Sequence, residues 1–198
     1  MKKTDPRQSR SKDKLHTAYI TLIANESSPL TIQQVCQEAN VTRPTFYKQF
    51  NDIASLRQDI HSTLLHELKQ SLTINNPKPL TQLRAEERAT YLTTLFEHIY
   101  DQHLTYETML VQQVDAVFLD HVKTIIQEYV DEGITHTMYS DRLRVDRTLL
   151  VSYITGAYVE SILWWIKNHY THSPEQMAEQ LIELSIFGPY ILDSETGI

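Results

Sequence analysis

The feature that most constrains how this chain folds is a pair of short helical patterns joined by a tight turn, in residues 31–50. The first pattern opens on Thr31, whose hydroxyl can accept a hydrogen bond from an unpaired N–H group of the first turn. Asn40 marks the turn, because Asn tolerates the left-handed backbone conformation that ends helices. Between them, apolar residues at helical spacing predict one buried face: Ile32, Val35, Cys36 and Ala39.

The second pattern has its own start and its own buried face. Thr42 caps it, and Pro44 lies in its first turn, where the missing N–H group costs nothing. Phe46 and Phe50 are four residues apart, so they point together towards a core. The remaining side chains face outwards: Arg43, Thr45, Tyr47, Lys48 and Gln49.

This outward face suits a DNA groove. Arg and Gln side chains hydrogen-bond base edges, and Tyr, Lys and Thr side chains bind phosphate oxygens. The alternative is a helical hairpin with an ordinary solvated polar face. The length of the turn, the two caps and the spacing of the phenylalanines agree with one another, so we favour a helix-turn-helix that reads DNA.

Residues 12–60 resemble the N-terminal helix-turn-helix of the TetR family of bacterial transcriptional regulators. The resemblance is carried by Leu30-Thr31, by residues 39–42, by residues 45–50 and by Leu56. It implies a sequence-specific DNA-binding regulator, most often a repressor, that acts as a homodimer on a pseudo-palindromic operator. An effector bound in the body of the protein would change the separation of the two DNA-binding heads.

Each DNA-facing side chain receives an expected role. We expect Arg43 and Gln33 to contact bases, with Thr45 as a third candidate. The expected phosphate contacts, with Pro44 completing the DNA-facing set, are Thr31, Thr42, Tyr47 and Lys48.

Two positions depart from the family pattern. Asn40 stands where the family usually has Gly, and Asn also accepts a positive φ. Ile53 stands where many members carry a Lys that contacts phosphate. Lys48 or Arg57 is expected to supply charge in its place.

The charge distribution also separates a head from a body. The chain carries a net charge of −7. Residues 1–58 hold nine Lys/Arg and five Asp/Glu, a net charge of +4, and residues 59–198 hold nine and twenty, a net charge of −11. A basic N-terminal module on an acidic body is typical of a local DNA footprint joined to a partner or effector domain.

The rest of the chain predicts an all-α fold, with few glycines and no alternating apolar runs. We expect a three-helix DNA-binding domain in residues 1–55 and a helical effector-binding and dimerisation domain in residues 56–198. Residues 1–11 are expected to form a flexible basic arm that reaches DNA, or else a solubilising tail. The clearest linker is residues 75–79.

Two final helices are expected at residues 147–169 and 174–188. The first is apolar nearly all round, and its length is close to that of a membrane span. Polar residues interrupt it, so burial against its own body and against a second subunit is the simpler interpretation. The pair resembles the helices that form the TetR-type dimer bundle, and we expect a cytoplasmic homodimer without membrane contact.

A small apolar or aromatic effector is a further expected partner. Its candidate contacts are Phe96, Tyr100, Met109, Phe118, Tyr153 and Trp164, although for any single one of them a core or dimer contact is the stronger interpretation. Trp164 and Trp165 are adjacent and so point about 100° apart.

Catalysis, metals and cofactors receive no support from the sequence. The nine histidines lack metal-ligand spacing, and no phosphate loop or nucleophile elbow is present. The single cysteine, Cys36, is expected to be a buried core residue. A protein-binding adaptor or coactivator with a TetR-like fold and no small-molecule effector is the main alternative, and a helical enzyme is a third.

Overall fold

The computed structural model describes residues 6–25, 29–73, 78, 82–137, 143 and 145–189. These residues form α-helices and a short π-helix, and they contain no β-strand. The predicted all-α fold is confirmed. The helices are α1 Pro6–Asn25, α2 Ile32–Glu38, α3 Arg43–Tyr47, α4 Ile53–Ser71, α5 Ala85–Asp101, α6 His103–Glu107, π1 Thr108–Gln112, α7 Ala116–Thr137, α8 Arg147–Lys167 and α9 Pro174–Phe187.

The described residues pack into two compact units. The first lies within Met1–Glu67 and His103–Leu119, and the second lies within Leu68–Gln102 and Asp120–Ile198. The domain boundary near residue 55 that the sequence suggests stays a prediction. Of the proposed linker 75–79, only Lys78 is described.

The first unit packs α1 against α2 and π1, and α2 against α3. Its core side chains are all 6% exposed or less: Leu15, Val35, Phe46, Phe50, Leu56 and Tyr106. Helix α1 begins at Pro6, so residues 6–11 of the predicted arm are helical, whereas residues 1–5 lie outside the described part. The helix thus extends six residues, about 1.7 turns, into the segment that was expected to be a flexible arm.

A corner follows α6. The chain continues as π1 and then breaks, and Asp115 begins α7 by accepting hydrogen bonds from the N–H groups of Val117 and Phe118, both at 3.1 Å. The backbone N–H of Asp115 donates to the carbonyl of Met109 at 2.8 Å and closes the corner. This break separates α6 and π1 from α7.

The second unit holds α5, α8 and α9, with the most extensive packing between α5 and α9. Trp165 is fully buried there and contacts Phe96 edge-on, with ring centroids 5.2 Å apart. Ser173 caps α9 through the N–H of Gln176, and Gly188 ends it with φ +76°. The start of α9 at Pro174 and its end at Phe187 agree with the helix expected at residues 174–188.

Candidate nucleic-acid interface

A reciprocal cap at the start of α2 and a left-handed turn at its end fix the helix-turn-helix. The Thr31 hydroxyl accepts the N–H of Gln34 at 3.3 Å, and the Gln34 side-chain oxygen accepts the N–H of Thr31 at 2.9 Å. This capping box satisfies donors that a helix start leaves open. At the other end of α2, Asn40 adopts φ +50°, and the N–H of Val41 donates to the carbonyl of Cys36 at 3.0 Å. Both the predicted cap and the predicted left-handed turn residue are confirmed.

Helix α3 is oriented by its aromatic residues. Phe46 and Phe50 are 0% and 6% exposed, and their ring centroids are 5.8 Å apart. Because these rings fix the inner face of α3, its other side chains face solvent. Arg43, Pro44, Tyr47 and Lys48 are all exposed.

Arg43 and Gln33, the two expected base readers, lie together. The Nη2 atom of Arg43 donates to Oε1 of Gln33 at 2.8 Å, which links the start of α3 to the start of α2. A shallow depression of about 460 Å³ lies beside them and is also lined by Gln37, Asn40 and Val41. The expected base-contacting groups therefore form one polar edge.

The threonines of this surface are also paired. The Thr42 hydroxyl accepts the N–H of Thr45 at 3.3 Å, and the two hydroxyls are 2.9 Å apart. The Thr31 hydroxyl donates to Oε1 of Gln34 at 2.7 Å. Tyr47 is 56% exposed and rests edge-on against Phe46. Tyr47 and Lys48 thus remain the side chains of the phosphate set that are most open to a new contact.

Lys48 and Arg57, the two residues expected to supply charge in place of a lysine at Ile53, differ in their surroundings. Nη2 of Arg57 lies 2.8 Å from Oδ2 of Asp115, so this guanidinium is already in an ion pair. The same carboxylate oxygen lies 3.1 Å from Nε2 of His61, which is buried against Phe118. Arg57 is therefore engaged in the packing of its own unit.

A second acidic residue joins α1 to α4. Asp59 lies 2.8 Å from Nζ of Lys12 and 2.7 Å from Nε2 of His16. Burial lowers the pKa of His16, and the hydrogen bond and charge of Asp59 oppose that shift. Neither of these two groups, Asp59 with its basic partners and Asp115 with its basic partners, was predicted from the sequence. The available signals were basic residues four apart on one helical face, Lys12 with His16 and Arg57 with His61.

The structure does not bring all the expected effector contacts together. Phe96 and Tyr100 share an aromatic cluster with Trp165 and Tyr170 in the second unit. Met109 lines a cleft of about 690 Å³ within the first unit, and Phe118 is fully buried in that unit. Two further candidates are exposed, Tyr153 by 72% and Trp164 by 47%, whereas Trp165 is buried, as the 100° offset of the two tryptophans requires.

The single cysteine, Cys36, is buried in the core of the first unit. Cys36 is 5% exposed, and burial raises the pKa of its thiol, while the charge of Arg43 opposes that shift. The expectation that it is a core residue is confirmed. Within the described ranges, no group of three His, Cys, Asp or Glu side chains is close enough to hold a metal ion.

The fold and this surface define an all-α helix-turn-helix transcriptional regulator. Residues 86–186, which are 101 of the 198 residues, match the TetR family model described as transcriptional regulator C-terminal region. The chain belongs to the TetR family of transcriptional regulators.

Individual relatives agree with this assignment. An uncharacterized HTH-type transcriptional regulator of Bacillus subtilis (strain 168), YxbF, is 20% identical over 184 residues, which are 92% of this chain and 46% of YxbF. The chain thus spans about half the length of this curated relative. A TetR regulator from Streptococcus agalactiae has a TM-score of 0.59 at 19% identity and covers 90% of this chain and 95% of its own. FadR from Bacillus subtilis, solved in complex with stearoyl-CoA, has a TM-score of 0.61 at 15% identity and covers 90% and 99%.

Proposed function

We propose that this protein is a cytoplasmic, homodimeric repressor that binds a pseudo-palindromic operator. In this proposal the α3 helices of two subunits enter successive major grooves. Arg43 contacts a base, and Tyr47 and Lys48 hold phosphates together with the caps at Thr31 and Thr42. The observation that carries the proposal is the α2–α3 surface, where a doubly capped turn presents exposed cationic and amide groups on a rigid aromatic base.

We further propose that the body binds a small apolar or aromatic effector. Phe96 and Tyr100, two of the candidate contacts, lie together around Trp165. Because Phe96 and Trp165 are 0% exposed, a ligand would have to displace packed rings to bind there. Bacillus subtilis FadR, which has a similar fold, was solved in complex with stearoyl-CoA, a ligand with a long apolar acyl chain. An effector acts by binding one of two head separations better than the other.

The comparisons do not favour the adaptor alternative. Helix α8 is, within the described ranges, the one helix long and apolar enough to cross a membrane. A single such helix does not indicate a membrane protein, because the core helices of soluble proteins pass the same test.

The proposal is tested by changing one base contact and one phosphate contact. Arg43→Ala should lower discrimination between the operator and random DNA by roughly 10- to 100-fold per half-site, since a base-edge contact is lost. Lys48→Ala should weaken binding to both DNAs and lower the slope of log K against log salt by about one for each phosphate contact. The measurement is fluorescence anisotropy with fragments selected from the source genome, over a salt series.

Lys123→Ala is the matched control, because it removes an exposed lysine on α7, outside the helix-turn-helix. It should leave both the discrimination and the salt slope unchanged. Unchanged discrimination in Arg43→Ala would remove the base-reading role. No binding of the wild type to any fragment at low salt would remove the proposed function itself.

A further inference from the structure

The hydrogen bond between Arg43 and Gln33 determines which end of the Gln33 amide faces which neighbour. A guanidinium has five N–H donors and no acceptor. The atom of Gln33 that lies 2.8 Å from Nη2 of Arg43 must therefore be the carbonyl oxygen, Oε1. The NH₂ group of Gln33 is left to point away from Arg43.

This arrangement restricts what Gln33 can do on DNA. A glutamine that reads adenine uses its oxygen to accept from N6 and its NH₂ group to donate to N7. Here the oxygen already accepts from Arg43, so one of its two lone pairs is occupied and the oxygen is held towards Arg43, whereas the NH₂ group can still donate. Purine N7 atoms and phosphate oxygens are the acceptors that such a donor meets in the major groove.

Arg43 keeps N–H donors that can hydrogen-bond DNA. Nη2 carries two hydrogens, and Gln33 engages one of them, so one N–H on Nη2 and those on the other nitrogens remain available. Two parallel donors of this kind match O6 and N7 of guanine. Arg43 and Gln33 are both exposed. An exposed arginine samples many rotamers, so the hydrogen bond restricts the Arg43 side chain before it contacts DNA.

We infer that Gln33 is a positioning residue that holds Arg43 for a guanine in each half-site, rather than a reader of a separate base. This inference rests on the proposed function and deepens it. It names guanine as the base at the Arg43 position, and it assigns the Gln33 oxygen, not its amide donor, to specificity.

The experiment measures binding of each variant to a library in which every half-site position is replaced by each base in turn. The wild type should prefer guanine at one position, and Arg43→Ala should flatten that position. Gln33→Ala should flatten the same position by roughly tenfold, because an unsupported arginine discriminates less well. The double variant should show no further loss there, since the two residues act as one unit.

Two variants separate positioning from direct contact and from damage to the fold. Gln33→Glu keeps an acceptor for Arg43 but cannot donate, so it should keep the guanine preference while weakening binding to every sequence. Gln127→Ala removes an exposed glutamine from α7, outside the helix-turn-helix, and should change no position. Thermal unfolding followed by circular dichroism checks that all variants fold.

The outcomes distinguish this inference from the proposed function. If Gln33→Ala flattens a different position, or if its effect adds to that of Arg43→Ala, the inference fails while the proposed function stands. Loss of the guanine preference in Gln33→Glu also overturns it. A wild type without any base preference overturns both.

Discussion

At the scale of single residues, the partly buried His16 of the first unit gives the protein a pH dependence. His16 is a half-buried imidazole with Lys12 and Asp59 beside it and Asp13 nearby. Burial disfavours its charged form and lowers its pKa below the ordinary 6.5, although Asp59 partly offsets this. The unfolded chain therefore binds a proton at His16 more readily than the folded protein does.

The sign of the effect follows from linkage. Stability rises with pH wherever the unfolded state holds more protons, so the contribution of His16 is fully present above about pH 6.5 and is lost as the pH falls towards its folded pKa. The urea concentration at the unfolding midpoint of the wild type should therefore decrease when the pH is lowered from 7.5 to 5.5. His98, whose pKa burial also lowers, acts in the same direction. His16→Gln should make the decline shallower.

Asp59→Asn provides the opposite test. It removes the carboxylate that supports the protonated form of His16, so it should make the decline of the midpoint steeper over the same pH range. Equal slopes in the wild type and His16→Gln would show that His16 makes no contribution.

At the scale of elements, Asp115 ties the start of α7 to α4. One carboxylate oxygen caps α7 through two N–H groups, and the other faces Arg57 and His61. The carboxylate is 10% exposed, whereas Arg57 is 48% exposed. The cap and the buried His61 contact should therefore stabilise the unit more than the screened pair with Arg57 does.

Asp115→Ala should cost about 2–4 kcal/mol of unfolding free energy, because it removes a helix cap and leaves buried polar groups without their acceptor. Asp115→Asn keeps an oxygen for the cap and should cost about 1 kcal/mol, and Arg57→Ala should cost less than 1 kcal/mol. Urea unfolding of the three variants gives this order. A loss in Arg57→Ala as large as that in Asp115→Ala would mean that the exposed ion pair dominates.

Helix starts and turns could be predicted from the sequence, whereas contacts between distant residues could not. Helix starts at Thr31, Thr42 and Ser173 and the turn at Asn40 follow from local chemistry, because each depends on hydrogen bonds or backbone angles a few residues away. Asp115 and Asp59 pair with residues more than 40 positions away. The local spacing of the basic residues therefore does not identify their acidic partner. Nor could spacing alone show that Gln33 and Arg43 hydrogen-bond each other across a turn.

At the scale of the whole molecule, the second unit leaves an apolar surface uncovered. Leu149, Tyr153 and Trp164 lie at spacings of 4 and 11 residues along α8 and are 63%, 72% and 47% exposed, so they share one face. Leu184 and Phe187 on α9 are also exposed, by 49% and 58%. Only 39% of the apolar window of α8 is buried within the single chain. Exposed apolar side chains on both helices support the proposed dimer through α8 and α9.

Leu149→Glu tests that dimer directly. In a two-fold interface each substitution occurs twice, and each buried leucine contributes about 1.5–3 kcal/mol, so dimerisation should weaken by roughly 100-fold or more. Sedimentation over a concentration series should show the variant shifting from twice 23.1 kDa towards 23.1 kDa, while the wild type stays a dimer. Val117→Glu is the matched control, because Val117 is an aliphatic residue of similar exposure, 57%, on α7 in the first unit. It should leave the mass unchanged. An intact dimer in Leu149→Glu would place the subunit contact on another surface.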